Sequence, residues 1–250
     1  IMLRKIKNAL ISVSDKSDLE KILLVLKKYK VNIISSGGTY EKIRNLGFKC
    51  SEISKYTRFK EMLDGRVKTL HPKIHAGILN NRSLKNHQFQ MKKNNFKSID
   101  LVIVNFYPFQ KTVLSKKNLS QIIENIDIGG PTMVRAAAKN FKDVSIVTDK
   151  KDYLSLIKQL KRNKGSTDLN FRKQMASKAF GLTAYYDSLI SNWFNQELGI
   201  SFPERKTIPG KKLTELRYGE NPHQKSSIYI HGLNDKNIGL KKVSGKNLSY

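Results

Sequence analysis

The chain has 250 residues, of which 39% are hydrophobic and 27% charged, values typical of globular proteins that exclude wholesale disorder. Its 47 basic and 20 acidic residues give a formal net charge of +27, which leaves nucleic-acid binding, an anionic small substrate and composition bias open. Lysines scattered along the chain supply most of this charge and favour composition bias. One cysteine, Cys50, is too few for a disulfide framework and is typical of a cytosolic protein.

The first part of the chain alternates between short apolar runs and stretches with helical periodicity. Leu19, Ile22, Leu23 and Leu26, for example, recur at the spacing of one helix face. The pattern predicts strands at 9–13, 31–35, 48–53, 100–105 and 144–148, and helices at 16–30, 39–46, 119–125, 132–141 and 152–162. Because strands and helices alternate, we expect an α/β fold, a parallel sheet with helices on both faces.

The last third of the chain has a different sequence pattern. Residues 168–198 have the periodicity of one or two long helices, and a segment rich in proline and glycine follows. Short strand-like runs then appear at 213–217 and 228–230. We predict one domain over 1–199, a linker over 200–212, and the incomplete start of a second α/β domain over 213–250.

Ligands of open α/β sheets bind where strands end and helices begin, and two polar segments stand at such places. Ser14, Asp15 and Lys16 follow the first predicted strand, where a serine or aspartate is more often a helix cap. The second segment, Ser35–Thr39 (SSGGT), follows the next strand. Its glycines and helix-start N–H groups suit a phosphate, while a plain tight turn explains them equally well.

Three further segments carry candidate groups. The run DGRVKTLHPKIH (64–75) combines Arg66 and Lys68 with histidines and is either an anion site or a solvated charged surface. Asn105 and Tyr107 follow the most apolar strand and either orient a substrate or form a packed aromatic corner. Lys139 follows three alanines on a predicted helix and is either a surface lysine or, if buried, a proton-transfer group.

Together these segments resemble one family. In order, they are VSDK (13–16), SSGGT (35–39), GRVKTLHPKIHAGIL (65–79), NFYPF (105–109), IDIGGPTMVRAAAKN (126–140) and LRYGENPHQ (216–224). The same motifs, in the same order, are typical of the bifunctional purine biosynthesis proteins. Those proteins join an inosine monophosphate (IMP) cyclohydrolase domain to an aminoimidazole carboxamide ribonucleotide (AICAR) formyltransferase domain.

The resemblance implies a methylglyoxal-synthase-like α/β domain that closes formyl-AICAR to IMP with loss of water. It assigns the cyclisation to Lys68, Tyr107, Asp127 and Lys139. It assigns nucleotide binding to Ser14, Asp15, Lys16, Ser36, Gly37, Gly38, Thr39, Arg66, Val67, Thr69, Val104, Asn105 and Ile128. Arg217 and Tyr218 match AICAR-contacting positions of the formyltransferase domain.

The resemblance also implies the ligands and partners. Ring closure needs no cofactor and no metal, whereas the formyltransferase half of a full-length chain uses formyl-tetrahydrofolate. A cytoplasmic homodimer is expected, with no nucleic-acid or membrane partner. Two alternatives stay open on the residues alone: a non-catalytic regulatory domain of this fold that binds a phosphorylated metabolite, and a basic nucleic-acid-binding protein.

Overall fold

A computed structural model describes residues 2–115, 117–231 and 248. The chain divides into two compact units. The first contains Ile1–Tyr107 and Asp127–Thr183, and the second contains Pro108–Ile126 and Ala184–Tyr250. About half of the predicted second domain, residues 232–247, 249 and 250, lies outside the described residues.

Nine strands and ten α-helices occur in the described part of the chain. The strands are β1 (Arg4–Lys5), β2 (Asn8–Ser12), β3 (Asn32–Ser35), β4 (Ser51–Glu52), β5 (Leu101–Val104), β6 (Ser145–Val147), β7 (Ser166–Thr167), β8 (Gly210–Glu215) and β9 (Ser227–His231). The helices are α1 (Leu19–Lys28), α2 (Gly37–Asn45), α3 (Ile53–Thr57), α4 (Pro72–Leu79), α5 (Lys85–Lys93), α6 (Phe109–Leu114), α7 (Leu119–Glu124), α8 (Gly129–Lys139), α9 (Tyr153–Arg162) and α10 (Leu169–Glu197). Short 3-10 turns cover Leu63–Gly65 and Lys150–Asp152.

A five-stranded parallel sheet in the order β4-β3-β2-β5-β6 forms the centre of the first unit. All four residues of β5 are buried, as expected for an apolar strand covered on both faces. From the central strand β2, the chain continues outward to β3 and then β4 on one side. Strand β5 lies on the other side of β2, and the chain continues outward from β5 to β6. Right-handed crossovers in opposite directions place their helices on opposite faces of the sheet. The predicted α/β fold with a parallel sheet is therefore confirmed.

Apolar side chains at helical spacing fix the helices onto this sheet. Leu19, Ile22, Leu23 and Leu26 of α1 are buried, and α1 also contacts α9. On the other face, α8 packs against β5, β6 and α4, and its three consecutive alanines are all buried. Small side chains allow the close approach between helix and sheet that this packing needs.

The structure adds elements that the sequence pattern did not predict. A two-stranded antiparallel pair joins β1 to β7, and helices α4 and α5 lie within a stretch of mixed polarity. Helix α4 begins with Pro72 in its first turn, after His71, whose Nδ1 accepts a hydrogen bond from the Lys73 N–H at 3.0 Å. Local capping therefore starts this helix where hydrophobic periodicity is weak.

The second unit contains α6, α7, the later residues of α10 and the β8–β9 hairpin. Phe109 packs edge-to-face on Tyr186 and Trp193, with ring centroids 6.2 and 5.8 Å apart. The antiparallel pairing of β8 with β9 contains an irregularity between Lys212 and Thr214. Residues 168–198, predicted as one or two helices, form the single helix α10.

Candidate functional site

The loops that follow β2 and β5 meet at the point where the sheet connections change direction. Asn105 Oδ1 accepts hydrogen bonds from the backbone N–H groups of Ser14, at 2.7 Å, and Asp15, at 3.3 Å. The Ser14 hydroxyl lies 2.9 Å from the Phe106 carbonyl oxygen. Such a switch point is where open α/β sheets bind their ligands. Ser14 and Asp15 precede helix α1 by several residues, so neither is its cap.

The glycine-containing loop after β3 is fastened to the loop after β2. Buried Thr39 donates through its hydroxyl to the Val13 carbonyl at 2.9 Å and accepts from the Val13 N–H at 3.1 Å. Thr39 therefore joins the two loops. Gly37, with a left-handed φ of 52°, begins helix α2 after Ser36, which is also buried. The first N–H groups of a helix lack partners within it and attract anions.

Two lysine side chains lie directly beside these glycines. The Lys68 ammonium nitrogen is 3.4 Å from the point where a Cβ atom of Gly37 would stand. The Lys16 ammonium nitrogen is 3.6 Å from the corresponding point of Gly38. A helix N-terminus, two glycines that admit close approach and two cations are the components of a phosphate site.

The Lys68 ammonium also pairs with a carboxylate that the sequence motifs did not indicate. Glu61 Oε2 lies 2.9 Å from Lys68 Nζ, with Lys68 21% and Glu61 43% exposed. Glu61 precedes the GRVKTLHP motif by only a few residues, in a stretch without helical or strand periodicity. No local pattern therefore predicts that its carboxylate reaches the site.

The N-terminus of α8 brings Asp127 to the same edge of the sheet. The buried Thr69 hydroxyl packs against Gly129, where Thr69 Oγ1 leaves no room for a Cβ atom. Asp127 Oδ1 accepts a hydrogen bond from the Gly130 N–H at 2.8 Å. Burial raises the pKa of the Asp127 carboxyl above its usual value, and the bond from Gly130 partly offsets this.

Lys150 is a second residue that the sequence did not indicate. From the turn after β6, its Nζ lies 2.8 Å from Asp15 Oδ2 and donates to the Ser17 hydroxyl at 2.9 Å. The hydrogen bond from Lys150 lowers the pKa of Asp15, and bonds from Ser17 add to the effect. The Asp15 carboxylate therefore accepts hydrogen bonds from Ser17 in its own loop and pairs with Lys150 in the turn after β6.

The remaining predicted residues differ in what they can offer a ligand. Tyr107 is 57% and Ile128 58% exposed, and Arg66 is also exposed. Val67 is half-buried, and Val104 is buried within β5, so Val104 can meet a ligand only through its backbone. Arg217 and Tyr218 belong to the second unit, where the Arg217 guanidinium lies over the Tyr218 ring at 5.3 Å.

Lys139 is not brought to these residues. It is the last residue of α8, and Asp127 precedes the first. Ten residues of helix separate Gly129 from Lys139, about 15 Å at the usual helical rise. The next residue, Asn140, donates to the carbonyls of Ile78 and Asn80 at 2.8 and 3.0 Å. Lys139 is exposed at the amino edge of the sheet, although the three alanines before it are buried. The proton-transfer role that the resemblance implies stays a prediction.

The described residues contain no group of three or more histidine, cysteine or acidic side chains placed to hold a metal ion. The histidines of the 64–75 run have other surroundings. His71 caps α4, and burial lowers the pKa of His75 while a hydrogen bond with the Thr69 backbone opposes the shift. None of the helices in the described part is long and apolar enough to cross a membrane.

Two family models match successive parts of the chain. The MGS-like domain matches residues 18–132, and the AICARFT/IMPCHase bienzyme matches residues 137–250. The chain is 46% identical over 250 residues to the bifunctional purine biosynthesis protein PurH of Bradyrhizobium diazoefficiens, covering 99% of this chain and 47% of that protein. It is 47% identical over 251 residues to PurH of Acetivibrio thermocellus, covering 98% and 48%.

The chain belongs to the bifunctional purine biosynthesis family. The resemblance inferred from the six motifs is therefore confirmed, as is the methylglyoxal-synthase-like fold of the first unit. Among solved structures, that of ForH superimposes with a TM-score of 0.68 at 29% identity, covering 76% of this chain and 97% of ForH. The chain spans about half the length of the curated relatives it matches.

Proposed function

We propose that the first unit is an IMP cyclohydrolase of purine biosynthesis, which closes formyl-AICAR to IMP and releases water. One observation carries the proposal: the ammonium groups of Lys16 and Lys68 stand beside Gly38 and Gly37 at the start of α2. This arrangement suits the 5′-phosphate of a nucleotide. The membership of the family supports the choice of this nucleotide over other phosphorylated metabolites.

The reaction requires the protein mainly to position the carboxamide against the formyl group and to move protons. The carboxamide nitrogen of formyl-AICAR attacks the formyl carbon, and a C–N bond forms as the formyl oxygen takes up negative charge. That oxygen leaves as water with one hydrogen from the carboxamide nitrogen and one from the formamide nitrogen. Holding the two groups in contact and stabilising the developing oxyanion lower the barrier.

The residues at the carboxyl edge of the sheet supply these functions in our proposal. Lys68 stabilises the developing negative charge, and Tyr107 and Asp127 orient the carboxamide. The Ser14–Lys16 loop, the Ser36–Thr39 loop, the 66–69 segment and the backbone at Val104, Asn105 and Ile128 bind the nucleotide. Contacts from Asn105 to Ser14, Lys68 to Gly37 and Thr69 to Gly129 support this grouping.

The wider assignments rest on family membership. We propose a cyclohydrolase domain over 1–199, a linker over 200–212 and the start of an AICAR formyltransferase domain over 213–250, with Arg217 and Tyr218 contacting AICAR. Ring closure then needs no cofactor, and formyl-tetrahydrofolate serves only the formyltransferase half of a full-length protein. The protein acts in the cytoplasm as a homodimer, without nucleic-acid or membrane partners.

Neither alternative function is favoured. A regulatory metabolite-binding domain has no need of Tyr107 and Asp127 beside a phosphate site. A nucleic-acid-binding role rests only on the net charge of +27. The purified chain is mixed with formyl-AICAR and the absorbance of IMP is followed. A cyclohydrolase converts the substrate, whereas a binding module leaves it unchanged. Absence of conversion by folded protein would overturn the proposal.

A further inference from the structure

A short ion pair connects the segment before the GRVK motif to the site. The Glu61 carboxylate lies 2.9 Å from the Lys68 ammonium, which in turn lies beside Gly37. Glu61 is 43% exposed, so its side chain is able to turn into solvent when another anion approaches Lys68. A carboxylate and a phosphate cannot both take the same face of one ammonium group without repelling each other.

The backbone around Glu61 is built to admit its carboxylate. Gly65 has a left-handed φ of 88°, and a Cβ atom there would stand 2.6 Å from Glu61 Oε1. The two preceding residues, Leu63 and Asp64, also have left-handed φ values, of 51° and 52°. Non-glycine residues in this region are strained, and such strain is concentrated at ligand clamps and switch segments. A side chain at position 65 would therefore require the Glu61 carboxylate to shift.

We propose that Glu61 occupies the Lys68 ammonium in the ligand-free site, and that the anionic group of the substrate replaces Glu61 on Lys68. The inference rests on the proposed function for the identity of that substrate. The geometry of the pair itself does not depend on it. Glu61 therefore competes with the ligand for Lys68 and weakens its binding.

The test is calorimetric titration of wild type and E61Q with IMP and, separately, with inorganic phosphate, at one ionic strength. Glutamine keeps the shape and removes the competing charge. We expect E61Q to bind both ligands about two- to fivefold more tightly, the effect of a partly exposed ion pair. The exposed Glu204→Gln removes the same unit charge elsewhere and should leave both affinities unchanged.

A gain in affinity separates this role from a structural one, because a damaged site loses affinity. Unchanged or weaker binding of both ligands by folded E61Q overturns the inference. If E61Q does not fold, E61A takes its place with the same expectation. Tighter phosphate binding by the variant without any IMP binding by either protein supports the inference and contradicts the proposed nucleotide. Failure of wild type and variant to bind either ligand overturns both.

Discussion

Asn105 holds the Ser14 loop through a 2.7 Å hydrogen bond from the Ser14 N–H to its side-chain oxygen. The same oxygen accepts from the N–H of Asp15, so one side chain at the end of β5 satisfies two donors of the neighbouring loop. This oxygen is already engaged with the protein. Asn105 therefore shapes the site by fixing the backbone that carries Lys16.

Asn105→Ala should release this loop. We expect the free energy of unfolding to fall by about 1–3 kcal/mol, because the partly buried Ser14 N–H and the exposed Asp15 N–H lose their acceptor. Ring closure should fall by about 10- to 100-fold as Lys16 loses its position. Thermal unfolding and the IMP absorbance assay measure the two effects. The exposed Asn86→Ala is the control and should change neither. A fully active Asn105→Ala variant would show that the loop needs no anchor.

Gly37→Ala tests the approach of the phosphate to the start of α2. An alanine at φ 52° costs about 1–2 kcal/mol, and its methyl group occupies the space beside Lys68. We expect IMP affinity to fall about tenfold or more, measured by calorimetry. Gly181→Ala is a matched control within α10, where a Cβ atom meets nothing within 4 Å. It should stabilise the protein by about 1 kcal/mol and leave binding unchanged. Equal IMP affinity in both variants would contradict the proposed site.

The pKa of Asp127 predicts a pH dependence of stability. Burial raises this pKa, so the folded protein binds more protons than the unfolded chain as pH rises from about 3.8, the unperturbed value, to the raised folded value. The contribution of Asp127 to stability therefore falls across that window. Asp127→Asn keeps an acceptor for Gly130 and removes the titration. We expect its unfolding temperature, relative to wild type, to be higher at pH 7 than at pH 4. A constant difference would show that Asp127 does not titrate in this way.

Lys139→Ala tests whether Lys139 takes part in ring closure, as the family resemblance implies. About 15 Å of helix separates Lys139 from the N-terminus of α8, so within one copy of the chain Lys139 does not contact Asp127 directly. We expect ring closure to stay within about threefold of wild type, a change below 1 kcal/mol in the barrier. A loss of 100-fold or more in folded protein would contradict this expectation and indicate that Lys139 acts in the site of a second copy.

The sequence predicted the sheet well because each central strand is a continuous apolar run. The 100–105 prediction brackets β5, and the helical spacing of Leu19 to Leu26 identified α1. The prediction failed where paired strands are short or lie far apart in the sequence. Strands β1 and β7 have two residues each and are joined across more than 150 positions, so neither carries a local pattern.

The candidate site was predictable in part for the same reason. The motif residues Ser14, Gly37 and Asp127 lie after strands or at the starts of helices, and the topology collects such positions at one edge. Glu61 and Lys150 reach the site through side-chain contacts that no periodicity records. The motif that contains Lys139 begins its helix at the site, but Lys139 lies at the far end of that helix, so its role stays a prediction.

We propose that the chain closes formyl-AICAR at the site formed by Lys68 and the glycines of α2. The most direct test is the rate of IMP formation by wild type and Lys68→Ala, followed by absorbance with folding checked by circular dichroism. We predict conversion by wild type and a fall in kcat/KM of about 100-fold or more in the variant, because the developing oxyanion loses its cation. No conversion by wild type, or an equal rate in folded Lys68→Ala, would contradict the account.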